Sequence, residues 1–326
     1  MSPPPLLGQP TVAVASAVSA DPQPLAVPRG FAVAWSDCSR LARPRIALMV
    51  LATVWAAAWI TAGTDRLPAT AMGWLLLGTA LVAASSSIAN QILERDTDRL
   101  MPRTARRPIA CGRLDVGPAA WLAAVLLVTG LVMQTRACGW QPAAAALATW
   151  LLYVVVYTPL KKLTPLNTAV GAVAGALPVA IGWLAADGPR RLAAGDAAGT
   201  LAVAALATVL YLWQFPHFMA IAWLYRRQYA AAGLRMLTVD DPSGLRAAGQ
   251  SLAAALAMIP VSLVLAVPSG SVRLFLAAAV AALVYAVATV GFAIRRDDAS
   301  ARVLLFTSLG SLLALLAASV ACGPPA

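Results

Sequence analysis

Charge is scarce in this chain of 326 residues: Asp, Glu, Lys and Arg together make up 11% of it, against 60% hydrophobic residues. That balance lies outside the range of soluble globular domains and places the chain in a bilayer. Acids are scarcer than bases, 13 against 24, for a net charge of +11. Nucleic-acid binders gather such an excess on one soluble face, whereas here the bases lie between hydrophobic segments, so no nucleic-acid partner is expected. Cysteine is sparse too. Cys38, Cys111, Cys138 and Cys322 form no C-x-x-C pair, which indicates neither a zinc site nor a disulfide framework, and they read as free thiols. Residues 1–29 lack a basic start followed by an apolar core. Rich in Pro, Ala and Ser, they resemble a disordered cytoplasmic leader more than a signal peptide. The expected organisation is a leader over residues 1–35 and one intramembrane domain over residues 36–326.

What is abundant is apolar runs. Roughly twenty apolar residues span a bilayer core. That length predicts an all-α, polytopic protein with nine transmembrane helices, over residues 44–62, 70–92, 116–133, 140–157, 168–186, 199–224, 247–267, 272–294 and 302–321. Pro44 suits the first turn of the first helix, and Arg43 and Arg45 beside it suit the lipid headgroup level. The connections after the odd-numbered segments carry Arg66, Arg136, Arg190, Arg191 and Arg273, which leaves nineteen of the 24 basic residues to the leader and the other connections. The positive-inside rule then puts the N-terminus and the even-numbered connections in the cytoplasm, and an odd number of spans puts the C-terminus outside.

One connection differs from the others in kind. Asn90 to Arg113 reads NQILERDTDRLMPRTARRPIACGR. Residues four apart share a helical face, so Asn90, Glu94 and Asp98 form a polar stripe if the helix continues through them, while Asp96 points elsewhere. Crowded carboxylates stay ionised most cheaply beside a divalent cation or arginines. Mg²⁺ takes one or two carboxylates completed by water and phosphate oxygens, and Arg103, Arg106 and Arg107 follow within reach of a phosphate. A diphosphate site is one reading. The other is a solvated loop whose acids and arginines pair with each other and with anionic lipid, and spacing alone does not choose between them.

The run N-x-x-x-E-R-D-x-D-x-x-M-x-R-T-x-x-R-P resembles the first acidic motif of the UbiA-type intramembrane prenyltransferases, in the version carried by the protohaem IX farnesyltransferase family. Further resemblances follow in order: Arg43-Pro44-Arg45; Tyr157-Thr158-Pro159-Leu160-Lys161 with Asn167-Thr168; Gly175 to Pro178 with Ile181-Gly182-Trp183; and Trp213 to Phe218 with Tyr229, Ala232-Gly233 and Met236-Leu237. They run from about Arg40 to about Gly244, and the last three helices are similar only in being helices. The resemblance implies an enzyme of the cell inner membrane that transfers a farnesyl group from farnesyl diphosphate to a vinyl group of haem b, giving haem O, in a helical bundle around a central cavity. It implies Mg²⁺ held by Asn90, Glu94 and Asp98, the expected catalytic positions, with Asp96 accompanying them. Arg103, Arg107 and Lys161 are the implied diphosphate ligands, although Lys161 taken alone could be a snorkelling anchor like Lys162. A haem A synthase is a candidate partner.

Two departures stand against the family pattern. Glu94 replaces a usual Asp, and Arg227-Gln228 stand where acids of a second motif usually precede the tyrosine of Y-x-x-A-G. Either Arg227 meets the diphosphate, with Asp240 and Asp241 making up part of the site, or the chain is a divergent paralogue; retained activity is the expectation. His217, the one histidine, and Arg45 are candidates for haem contact. The plainer role for His217 is a hydrogen bond to the carbonyl freed by Pro216 in the same helix. Trp213 and Phe218 read as cavity wall. The rival functions are another UbiA-type prenyltransferase, of the quinone or chlorophyll pathway, against which Gln214 to Phe218 argues, and a non-catalytic membrane protein. A transporter would place its ionisable residues near mid-membrane rather than at one rim.

Overall fold

The first long helix of the chain begins where Pro44 fixes φ at its first turn, after Arg43 has taken the left-handed conformation (φ 49°). A computed structural model describes residues 35–63 and 65–322. The leader expected over residues 1–35 lies outside them but for its last residue, as does the side chain of Cys38; Cys111, Cys138 and Cys322 are free thiols.

Among the described residues, nine helices are long and apolar enough to cross a membrane: α1 (Pro44–Ala62), α2 (Ala69–Leu93), α3 (Val116–Cys138), α4 (Trp140–Leu160), α5 (Asn167–Ala185), α6 (Ala197–Leu224), α7 (Leu245–Ser269), α8 (Val272–Arg295) and α9 (Asp298–Ala321). They fall on the nine expected segments, and no strand occurs among the described residues. Asp196 and Asp297 cap α6 and α9 by accepting from the Gly199 and Ser300 amides, at 3.2 and 2.7 Å, which satisfies donors that the first turn leaves open. Lipid-facing positions stay apolar: Val128 on α3 and Val287 on α8 are 60% and 70% exposed.

Successive helices are neighbours, and α1 also packs on α5, α6 and α9. The α1–α5 crossing is tight because Gly182 has no side chain: a Cβ there would collide with the Val54 carbonyl oxygen. The core of Val209, Trp213, Tyr285, Phe292, Leu304 and Leu312 ties α6, α8 and α9 together. Against these ordinary helices α4 is irregular, wound as a π-helix over Leu152–Tyr157. The widening sits just before Pro159, which has no N–H to give the Val155 carbonyl, and the Thr158 hydroxyl bonds the Tyr153 carbonyl at 2.9 Å.

Candidate active site

The α2 ladder carries on past its formal end. The Glu94 amide donates to the Asn90 carbonyl at 2.9 Å and the Asp98 amide to the Glu94 carbonyl at 2.7 Å, so the stripe expected of Asn90, Glu94 and Asp98 forms. All three are buried. Asp96, two residues out of phase, is exposed and lies 3.5 Å from Arg95 and 3.6 Å from Arg99. The expected metal-binding set therefore does not come together with Asp96 in it. Asn90 also faces away from open space: its amide nitrogen donates to Thr158 at 3.3 Å and its oxygen accepts from the Tyr153 hydroxyl at 3.5 Å.

Glu94 and Asp98 line a cavity of about 530 Å³ inside the bundle. One end is charged. Lys161 Nζ meets Glu94 at 2.7 Å, and Arg107 bonds Asp98 and lies 3.8 Å from Glu94. Arg103, exposed at the rim, stands 4.6 Å from the Tyr225 ring centre and donates to the Tyr229 hydroxyl at 3.4 Å. The π-helix aims this end of α4: Tyr153, Tyr157 and Lys161 all line the cavity, with Lys161 Nζ 4.5 Å from the Tyr157 ring centre. The other end is apolar and aromatic, with Met49, Ile181, Leu210, Trp213, Phe218 and Leu312 on its wall. Gly175 leaves room for Gln214, whose amide donates to the Ala172 and Leu210 carbonyls at 3.0 Å each.

Electrostatics follow the pairing. Burial pushes the Glu94 carboxyl up, but the Lys161 ammonium and the guanidiniums of Arg107 and Arg43 outweigh it and hold Glu94 below its ordinary value. At Asp98 burial wins over the guanidinium of Arg107, and the carboxyl is raised. Burial and the neighbouring Arg43 lower Arg107. Burial also works against the Lys161 ammonium, yet Tyr157 and Glu94 around it raise its value on balance.

Arg43 is the residue that motif reading undervalued. It lines the charged end, yet its Nη2 is buried without a hydrogen-bond partner. A left-handed φ on a non-glycine residue stores backbone strain of about 1–3 kcal/mol and is found where surrounding structure holds a functional group in place. The signal lay in the Arg-Pro-Arg step, where Arg45 drew the attention; Arg45 lines the cavity too, but is exposed. Arg227 is also exposed and is not on the cavity wall. Asp240 lies 3.5 Å from Arg235, and Asp241 accepts from Ser243 and Arg246, so the acids of that loop do not reach the cavity either. His217 lines the cavity, and its Nδ1 lies 2.7 Å from the Ser308 hydroxyl rather than bonding a freed carbonyl.

Asp98 Oδ1 is buried with no hydrogen-bond partner. Among the described residues no three His, Cys, Asp or Glu side chains gather around one point. Two carboxylates with one unused oxygen, beside a space large enough for phosphate oxygens, fit the donor set that Mg²⁺ accepts.

Residues 49–310 match the UbiA prenyltransferase family. The chain is 46% identical over 226 residues to the protohaem IX farnesyltransferase of Rhodopirellula baltica, across 69% of this chain and 76% of that one. With the protohaem IX farnesyltransferase of Opitutus terrae it shares 37% identity over 291 residues, 88% and 94% of the two chains. A UbiA homologue from Archaeoglobus fulgidus solved with GPP and Mg²⁺ has a TM-score of 0.61 at 15% identity, over 87% of this chain and 99% of that one. An apo UbiA homologue from Aeropyrum pernix has a TM-score of 0.65 at 18% identity, over 83% and 97%. At those identities the solved structures speak for the fold.

Proposed function

Because this chain belongs to the UbiA prenyltransferase family and, within it, to the protohaem IX farnesyltransferases, we propose that its cavity is where the two substrates meet, the diphosphate at the charged end and the farnesyl chain and porphyrin along the apolar wall. The protein transfers a farnesyl group from farnesyl diphosphate to a vinyl group of haem b, forming haem O. The observation that carries the placement is the segregation of the cavity wall. Arg43, Arg103, Arg107 and Lys161 surround two carboxylates at one end, and Met49, Ile181, Leu210 and Phe218 line the other.

Four cations converging on one end stabilise the charge that develops on a departing diphosphate, which is where a preorganised electrostatic site acts most strongly. Glu94 and Asp98 would hold Mg²⁺, with Asn90 behind them fixing the helix by its bonds to Thr158 and Tyr153. When bound, the metal would supply further positive charge against the diphosphate oxygens. Arg107 and Lys161, already paired with these carboxylates, are positioned to turn toward the substrate's phosphates. The apolar wall keeps water from the allylic carbon while its bond to oxygen weakens. His217 and Arg45 are the residues proposed to contact haem. The positive-inside count supports a charged end at the cytoplasmic face of the inner membrane, with the N-terminus on the same side.

The test is direct: purified protein is incubated with haem b, farnesyl diphosphate and Mg²⁺, and haem O is sought by mass. The expected result is a product heavier by one farnesyl group and one hydroxyl group, the second proton of the added water leaving with the diphosphate. No product, while a control enzyme works under the same conditions, overturns the placement in favour of a non-catalytic relative.

A further inference from the structure

The Ser308 hydroxyl, on α9, has two close partners: the Leu305 carbonyl oxygen at 2.6 Å and His217 Nδ1 at 2.7 Å. A hydroxyl carries one hydrogen. Two oxygens 2.6 Å apart attract only with a hydrogen between them, and a carbonyl has none to give, so the Ser308 hydrogen is committed to Leu305. The bond to His217 then needs its hydrogen from the imidazole, and Nδ1 is the protonated nitrogen. In a neutral ring that leaves Nε2 as an unprotonated lone pair. It has no hydrogen-bond partner among the described residues, on a side chain that lines the cavity.

The ring is also held in plane. The Trp213 indole stacks on it with centres 4.5 Å apart and an angle of 22°, and the indole N–H donates to the Ser308 carbonyl at 2.8 Å. The Tyr285 hydroxyl of α8 anchors the same turn by donating to the Trp213 carbonyl at 2.7 Å. The hydroxyl that fixes the histidine and the groups that hold Trp213 against it therefore come from α9 and α8, helices that carry no recognised motif.

We propose that Ser308 is a positioning residue that locks His217 as its Nδ1–H tautomer, so that the cavity is offered a lone pair at Nε2 that can ligate the iron of a porphyrin. In this state the nitrogen facing the cavity accepts and does not donate, which makes it unsuited to hydrogen-bonding a propionate or a diphosphate oxygen. The inference rests on the reading that haem meets His217.

Because His217 is the single histidine in the chain, protein labelled with ¹⁵N-histidine and carrying a histidine-free tag reports its tautomer without assignment. Nδ1–H is expected, and an Nε2–H signal overturns the proposal even if no variant folds. Binding of ferric haem b, followed by its absorption and electron paramagnetic resonance spectra, supplies the second arm. Ser308→Ala should weaken haem b about tenfold, the size of one lost hydrogen bond, and shift the iron's spin state, with the KM for farnesyl diphosphate unchanged. Ser308→Thr should restore both. If His217→Ala abolishes the spectral signature and Ser308→Ala leaves affinity and spectrum intact, Ser308 does not position the ring, although the haem contact stands. If His217→Ala itself changes neither, the contact fails.

Discussion

Arg43 holds two opposed quantities in one residue. Its left-handed backbone is a cost, and the Nη2 of its guanidinium, at the cavity's charged end, is buried without a hydrogen-bond partner. Replacing it by glycine removes the strain and the charge together. Arg43→Gly should therefore hold or raise the unfolding temperature in detergent while the KM for farnesyl diphosphate rises by about tenfold or more, the worth of one charge-assisted hydrogen bond. A fall in stability with unchanged KM would assign Arg43 to the fold instead. Asp98 is the contrasting case, a buried carboxylate with one oxygen bonded by Arg107 and the other free. Asp98→Asn should lower kcat by about 10²–10³-fold, the range for removing one electrostatic stabiliser from an active site, measured as haem O formed per minute. Glu94 and Asp98 were legible in the sequence because motif spacing and helix periodicity coincide, whereas Lys161 entered only through the family resemblance. Asp96 was read into the same set and lies apart, because the helix turns it outward.

At the scale of single elements, α4 decides where Lys161 points. The π-helix over Leu152–Tyr157 holds one residue more per turn than an α-helix and shifts everything after it. An alanine inserted after Val155, which is exposed, adds a residue beyond the one the widened turn absorbs and should rotate Lys161 by about 100° away from Glu94. The expected outcome is protein that still folds but binds a farnesyl diphosphate analogue weakly in calorimetry. The α1–α5 contact is a different kind of element-level constraint. Gly182→Ala would press a methyl group against the Val54 backbone, which cannot rotate aside as a side chain could. A loss of about 1–3 kcal/mol is expected, seen as an earlier unfolding transition on denaturant titration in micelles. Neither feature announced itself in the sequence. A π-turn has no local signature beyond the downstream Pro159, and a glycine's neighbour is known only once the helices are packed.

For the whole molecule, the charge budget of the cavity and its orientation are the testable quantities. Five cations, Arg45 among them, and two carboxylates line the cavity, so a diphosphate is attracted even without metal, but one carboxylate oxygen stays unbonded. Chelation of Mg²⁺ should abolish haem O formation and be reversed by adding the ion back, with a weakened but detectable affinity for farnesyl diphosphate remaining. Orientation is read by Cys111, which is exposed in the loop that carries the site. In a variant keeping only that cysteine, a membrane-impermeant maleimide should label inside-out vesicles and leave intact spheroplasts unlabelled; the reverse pattern would invert the topology.

The sequence by itself determined the nine spans, the family and the acidic stripe, because span length, residue identity and helical period are properties of neighbours along the chain. Tertiary structure alone decided which charges share a space. It brought Arg43 beside Glu94 across two helices, set Lys161 against the same carboxylate, left Arg227 and Asp96 outside, and put Ser308 of a motif-free helix on the one histidine. The reason is geometric. A residue's partners across a bundle depend on helix rotation and crossing, and those are fixed by packing contacts far away in sequence.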